Sequence, residues 1–191
     1  MSYLLNAVAL LITLAFNAAV TLFVLRLVAE ACRVDFNNPL SQFIYRTTNP
    51  VLAPVRRVLP NWRRINIAAV LIAWLLMVLK WLVIFALQGL MPRPAGLLLL
   101  SLADLIDFVL MFYLIVVFVW SLFSMLSNDP YHPLQRLLGT IVEPLVRPLR
   151  GRLTIGMLDF SPTVIIIGLL LARILISQPI SDLGMRLAMG G

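Results

Sequence analysis

Four stretches of this chain are apolar on every side. Residues 3–28, 67–87, 97–126 and 160–176 are built almost wholly of Leu, Val, Ile, Ala, Phe and Met, and about 20 mainly apolar residues suffice for a helix to cross bilayer hydrocarbon. The fourth stretch is the shortest. Between the first and second, and again between the third and fourth, the pattern turns from uniformly apolar to amphipathic. Behind Pro133, the apolar Leu134, Leu137, Leu138, Ile141 and Val142 recur at helical spacing, while Gln135, Arg136, Thr140 and Glu143 take the other face. Behind Pro39, Leu40, Phe43, Ile44 and Thr47 trace the same stripe, with Gln42 and Arg46 on the polar side and Asn38 placed as N-cap. Proline suits the first turn of both helices. Pro50 and Pro144 are expected to end them, because proline disfavours helical geometry in the residue before it and has no amide to donate.

The two amphipathic linkers are copies. Asp35, Pro39, Leu40, Pro50, Pro54 and Arg56 recur at a constant offset of 94 as Asp129, Pro133, Leu134, Pro144, Pro148 and Arg150. Three prolines and an arginine held without a gap mark an internal tandem repeat. Only internally bonded backbone survives in lipid, so the spans are helices. The expected fold is an all-α membrane protein of four transmembrane helices, arranged as two parallel repeats of span, amphipathic helix and span, over residues 1–94 and 95–191. With two spans per unit both copies point the same way, whereas inverted transporter repeats require an odd number.

Composition agrees with this reading. The chain is 62% hydrophobic and 12% charged, with a mean hydropathy of +1.02, far from the soluble average. No basic leader and small-residue cleavage site precede the first stretch, which is therefore expected to be retained. Charge sets the orientation. Arg33, Arg46, Arg56, Arg57, Arg63 and Arg64 lie in the first linker and Arg136, Arg147, Arg150 and Arg152 in the second, against Arg93 and Arg186 on the opposite side. Basic loops stay cytoplasmic, so both linkers are expected to face the cytoplasm and both termini the periplasm. The net charge of +7 and pI near 10.8 come from arginines beside a membrane and not from a basic face on a soluble module, which argues against nucleic acid. Arginine binds phosphate bidentately, and juxtamembrane basic clusters are drawn to anionic lipid at about 1 kcal/mol per residue. Arg46, Arg56, Arg57, Arg136, Arg147 and Arg150 are the candidates for such contacts. Setting topology alone would need the same residues. The amphipathic helices are expected to lie in the interface with their apolar faces in the headgroup boundary, the alternative being that they tuck inward between the spans.

The residues Asn-Pro-Leu-x-x-Phe-Ile-Tyr-Arg-x-Thr-x-Pro-x-Leu-x-Pro-x-Arg-Arg at 38–57, the weaker copy at 132–150 and Leu-Asp-Phe-Ser-Pro at 158–162 resemble the YggT family of bacterial inner-membrane proteins. The resemblance covers nearly the whole chain in the two-repeat form of the family. It implies a multi-pass inner-membrane protein, with loose links to osmotic stress and ion homeostasis, to cell division, and in plastid relatives to cytochrome assembly. It brings no catalytic residue. One departure stands out: Asn66-Ile67-Ala68-Ala69 occupies the place of Asp159-Phe160-Ser161-Pro162.

Charges within the apolar stretches are the sharpest local signals, because an ionisable group at the bilayer centre costs at least several kcal/mol unless paired or hydrated. Lys80 and Arg173 are repeat equivalents at an offset of 93, and Asp104 and Asp107 share one helix face at i and i+3. In one reading the four form a polar cluster on a cation or proton path. In the preferred one, Lys80 and Arg173 snorkel outward while the aspartates begin the third helix, complementing its dipole. Asn6 and Asn17 are milder and suit interhelical hydrogen bonds.

Other chemistry has little to stand on. One cysteine, Cys32, and one histidine, His132, supply neither a disulfide nor metal-ligand spacing, and no Gly-rich phosphate loop occurs. Neither an enzyme nor a cofactor is expected. Two functional classes remain: a non-enzymatic membrane scaffold or assembly factor whose linkers grip anionic phospholipid, working within a membrane complex or homo-oligomer, and an ion-handling or osmoprotective protein in which the buried charges matter.

Overall fold

The computed structural model describes residues 2–34, 38–59, 65–126, 132–149, 154–155 and 158–190. It is a helix bundle. The chain runs through α1 (Ser2–Ala31), α2 (Pro39–Arg56), α3 (Ile67–Leu87), α4 (Pro94–Leu126), α5 (Pro133–Val146), a two-residue antiparallel ladder of β1 (Thr154–Ile155) with β2 (Leu158–Asp159), α6 (Ser161–Ala172), a π-helical turn at Arg173–Ser177, and α7 (Gln178–Met189). Among the described residues four helices are long and apolar enough to cross a membrane: Tyr3–Ala31, Ile67–Leu87, Pro94–Ser124 and the continuous Ser161–Met189. No more than 22% of the most apolar window of any of them is buried, so most of their apolar surface looks outward, as lipid-facing helices require.

The fourth span is longer than its hydropathy suggests. Ser177, Gln178 and Pro179 interrupt the apolar run, and a proline ring would press on the carbonyl four residues earlier. The helix widens just ahead of it: Arg173–Ser177 is a π turn, and the Gln178 amide donates to the Arg173 carbonyl, five residues back. Widening of this kind absorbs the proline without ending the helix.

Proline also fails to end α2 and α5, contrary to expectation. Pro50 and Pro54 lie inside α2 and Pro144 inside α5, with Pro148 in the turn that follows. All four are exposed, and so is Arg46, whose carbonyl loses its usual partner to Pro50. A carbonyl freed on an outward face finds water or a ligand, so the helix bends and continues. Pro39 and Pro133 do occupy first turns.

Of the two linker helices, the elbows between spans, α5 turns its apolar stripe inward, whereas α2 does so only in part. Leu137, Leu138, Ile141, Val142 and Val146 of α5 are buried in the main core, which they share with Val20, Val24 and Val28 of α1, Met77 of α3 and Val117 of α4. In α2 the buried stripe is Ser41, Ile44, Thr48 and Leu52. Of the expected stripe only Ile44 is among these; Leu40, Phe43 and Thr47 are exposed, as is Val51, so most of it faces outward. A five-residue-back bond from Val34 to Ala29, with Arg33 at a left-handed φ of 55°, turns the chain from α1 toward α2.

Asn38 ties the copies together. Its Oδ1 accepts from the Leu40 amide at 2.9 Å, capping α2, and its Nδ2 donates to the Pro133 carbonyl at 2.8 Å in the first turn of α5. His132, the equivalent of Asn38, makes no side-chain cap and stacks on Phe123. Replacing Asn38 by alanine removes both bonds. The expected loss is about 1–2 kcal/mol, read as a lower midpoint in SDS-induced unfolding, with Asn38→Asp recovering only the cap.

Candidate functional site

Two polar clusters interrupt the bundle. The first lies inside the spans. Lys80 Nζ stands 2.5 Å from Asp104 Oδ2 and 3.3 Å from Asn17 Oδ1. Trp81 Nε1 donates to the same carboxylate oxygen at 2.9 Å. Arg173 grips Asp107 with two parallel bonds, Nε to Oδ1 at 2.9 Å and Nη2 to Oδ2 at 2.8 Å, and its Nη1 lies 3.3 Å from Met111 Sδ.

The pairing follows the duplication. Lys80 and Arg173 are equivalent, and so are Asn17 and Met111, at an offset of 94. Each cation therefore meets the same position of its own repeat's first helix. The carboxylates break the symmetry. Both sit on α4, Asp107 facing the arginine of its own repeat and Asp104 crossing to the lysine of the other. The snorkelling expectation is overturned. Lys80 is 3% exposed, and α4 begins at Pro94, roughly 15 Å before Asp104 at about 1.5 Å per residue. Arg173 sits mid-helix because the helix runs on to Met189. Desolvated charges inside a span hold together when paired and hydrogen-bonded. Beside the Arg173–Asp107 pair a cavity of about 220 Å³ is lined by Trp81, Ala103, Asp104, Asp107, Arg173, Ser177, Gln178 and Ser181.

The second cluster was missed by sequence reasoning. Glu30 takes an ion pair from Arg26, four residues before it on α1, with Nε 2.6 Å from Oε1, and a second from Arg56 at the end of α2. The Arg26 guanidinium lies over the Tyr45 ring, 3.3 Å from its centroid. Its buried Nη1 has no hydrogen-bond acceptor among the described residues, and the ring face provides the contact instead. Burial raises the Tyr45 phenol above its ordinary pKa. The signal was available: Arg26 and Glu30 stand four apart at the end of an apolar run.

The arginines proposed for lipid contact divide. Arg56 is engaged with Glu30, whereas Arg46, Arg57, Arg136 and Arg147 are exposed. Asp35, Asp129 and Arg150, with Arg63, Arg64 and Arg152, lie outside the described residues. Among the described residues no group of three His, Cys, Asp or Glu is placed to hold a metal ion.

Comparison with known proteins finds the same doubled pattern. The family described as CCB3/YggT matches residues 5–87 and again 99–180. A Vibrio alginolyticus protein described by its place in the proC 3′ region is 34% identical over 187 residues, covering 95% of this chain and all of that one. A protein named YggT from Escherichia coli K12 is 29% identical over 188 residues, 97% of each chain. A Haemophilus influenzae protein is 32% identical over 167 residues, 87% of this chain and 89% of its own. No solved structure matches.

Proposed function

The chain belongs to the CCB3/YggT family of membrane proteins, and from that footing we propose that it is a non-catalytic scaffold of the bacterial inner membrane. Both termini are periplasmic in this reading, and both elbows meet the anionic cytoplasmic leaflet. One observation carries it: the outward face of α2 presents Leu40, Phe43 and Val51 beside Arg46 and Arg57, and the second elbow adds Arg136 and Arg147. Apolar side chains among arginines at the end of a span suit the boundary between acyl chains and phosphates. A protein so anchored offers a fixed surface to an assembly or division complex, or to a second copy of itself.

A second reading draws on the span charges. The cavity beside Arg173 and Asp107 is polar within an otherwise apolar bundle, which favours a role in ion homeostasis or osmotic stress, with oligomers forming the path. The readings separate by mutation. Changing Arg46, Arg57, Arg136 and Arg147 together to glutamine is expected to weaken the preference for anionic over neutral lipid by about ten-fold or more. Lipid-titrated thermal stability of the purified chain measures it, and an unaltered preference contradicts the scaffold. Neutralising Asp107 and Arg173 together is expected to leave that preference intact. Loss of an ion flux from proteoliposomes in the same variant supports the second reading.

A further inference from the structure

The duplication extends to a pair of grooves. One, of about 460 Å³, is lined by Tyr45, Arg46, Asn49, Pro50 and Ala53 of α2. The other, of about 640 Å³, takes Gly139, Thr140, Glu143, Pro144 and Arg147 of α5, with Arg136 and with Cys32 at the end of α1. Adding 94 to each residue of the first groove gives, position by position, the α5 residues of the second. The same concave surface was thus kept in both copies while its side chains diverged. We propose that each groove is a phospholipid headgroup site, for a phosphodiester whose terminal group donates hydrogen bonds.

Both halves of such a ligand find partners. Phosphate requires donors, supplied by Arg46 in the first groove and by Arg136 and Arg147 in the second, all exposed. The terminal group requires acceptors. Each groove is floored by a proline inside its helix, Pro50 or Pro144, which leaves the carbonyl of Arg46 or Thr140 without the amide four residues on. These carbonyls, joined in the first groove by the Asn49 side chain, accept from an ammonium or a hydroxyl. A quaternary ammonium has no N–H to offer. The grooves therefore distinguish ethanolamine and glycerol headgroups from choline.

Their difference in size has a visible cause. In the first repeat Tyr45 occupies the groove wall beneath Arg26. In the second, the equivalents are Gly139 and Trp120, and a Cβ at Gly139 would stand 3.4 Å from Trp120 Nε1. Removing the tyrosine ring opens the second groove as far as Cys32, whose thiol pKa is raised by burial.

The proposal rests on the leaflet contact argued above but is narrower, and native mass spectrometry of the delipidated full-length chain tests it. Phosphatidylethanolamine, phosphatidylglycerol and phosphatidylcholine are titrated separately. Two ethanolamine or glycerol lipids are expected to be retained per chain, and choline lipid about ten-fold more weakly. Arg46→Gln is expected to remove one site and Arg136→Gln with Arg147→Gln the other, while Arg93→Gln leaves both, with circular dichroism verifying the fold of each variant. Equal retention by wild type and groove variants, or of choline and ethanolamine lipids, overturns the headgroup sites and leaves the diffuse leaflet contact standing. No retention of any lipid by the wild type overturns both.

Discussion

Replacing Asp104 by alanine is expected to destabilise the bundle by about 3–5 kcal/mol, the usual consequence of leaving a buried charge without its partner. Lys80 is 3% exposed, and with Asp104 gone its remaining polar contact among the described residues is Asn17 Oδ1 at 3.3 Å. Trp81 Nε1 loses its acceptor at the same time. Changing both residues, as Lys80→Met with Asp104→Leu, is expected to recover most of the loss, since an apolar pair of similar volume avoids the desolvation cost. SDS-induced unfolding of the wild type, Lys80→Met, Asp104→Leu and the double variant gives the coupling, with Asp104→Ala measured beside them. Equal destabilisation by the single and double changes would show that Lys80 and Asp104 do not act as a pair.

The contact between α4 and α7 gives the second large effect. A Cβ on Gly96 would lie 2.0 Å from the Ala188 amide nitrogen and 2.4 Å from its Cα, and a Cβ on Gly184 2.7 Å from the Leu100 amide nitrogen. Backbone stands against backbone, so nothing flexible can yield, and small residues are what permit such close approach in a membrane. Gly96→Ala is expected to push α7 off α4 at a cost of about 3 kcal/mol, and with it to break the bond from the Arg93 amide to the Ala188 carbonyl. Gly168 gives the contrast. A Cβ there meets nothing within 4 Å, so Gly168→Ala is expected to be neutral or stabilising by up to about 1 kcal/mol. Limited proteolysis near the C-terminal end of α7, with unfolding midpoints, separates the two variants. Equal behaviour of Gly96→Ala and Gly168→Ala would mean that α7 is not docked as described.

What could be read from the sequence was governed by how local its cause is. Span cores are written in runs of apolar residues, and the offset of 94 is written in proline spacing, so the four spans and the doubling were legible. The end of the fourth span was not, because Ser177, Gln178 and Pro179 look like a stop and only the π turn before them lets the helix proceed. The α5 stripe was found, but periodicity does not say what covers a stripe. Here Ile141, Val142 and Val146 are covered by the bundle. Lys80, Asp104, Asp107 and Arg173 were singled out by their rarity in apolar surroundings. Their pairing depends on the register between helices far apart in sequence, and Asp104 crosses from one repeat to the other. Arg26 with Glu30 was legible at i and i+4 on α1, but the Tyr45 ring against Arg26 and the second arginine on Glu30, Arg56, arrive only when α2 folds back. Equivalent positions of the two repeats make equivalent contacts: Lys80 with Asn17 mirrors Arg173 with Met111.

Side-specific labelling tests the two-elbow architecture most directly. Single cysteines introduced as Arg57→Cys and Arg147→Cys, each in a Cys32→Ser background, are exposed to a membrane-impermeant maleimide in inverted vesicles and in intact spheroplasts. Both are expected to react in inverted vesicles and neither in spheroplasts, which puts the elbows of both repeats on the cytoplasmic face. Labelling of the two positions from opposite sides would contradict the parallel repeat and everything built on it.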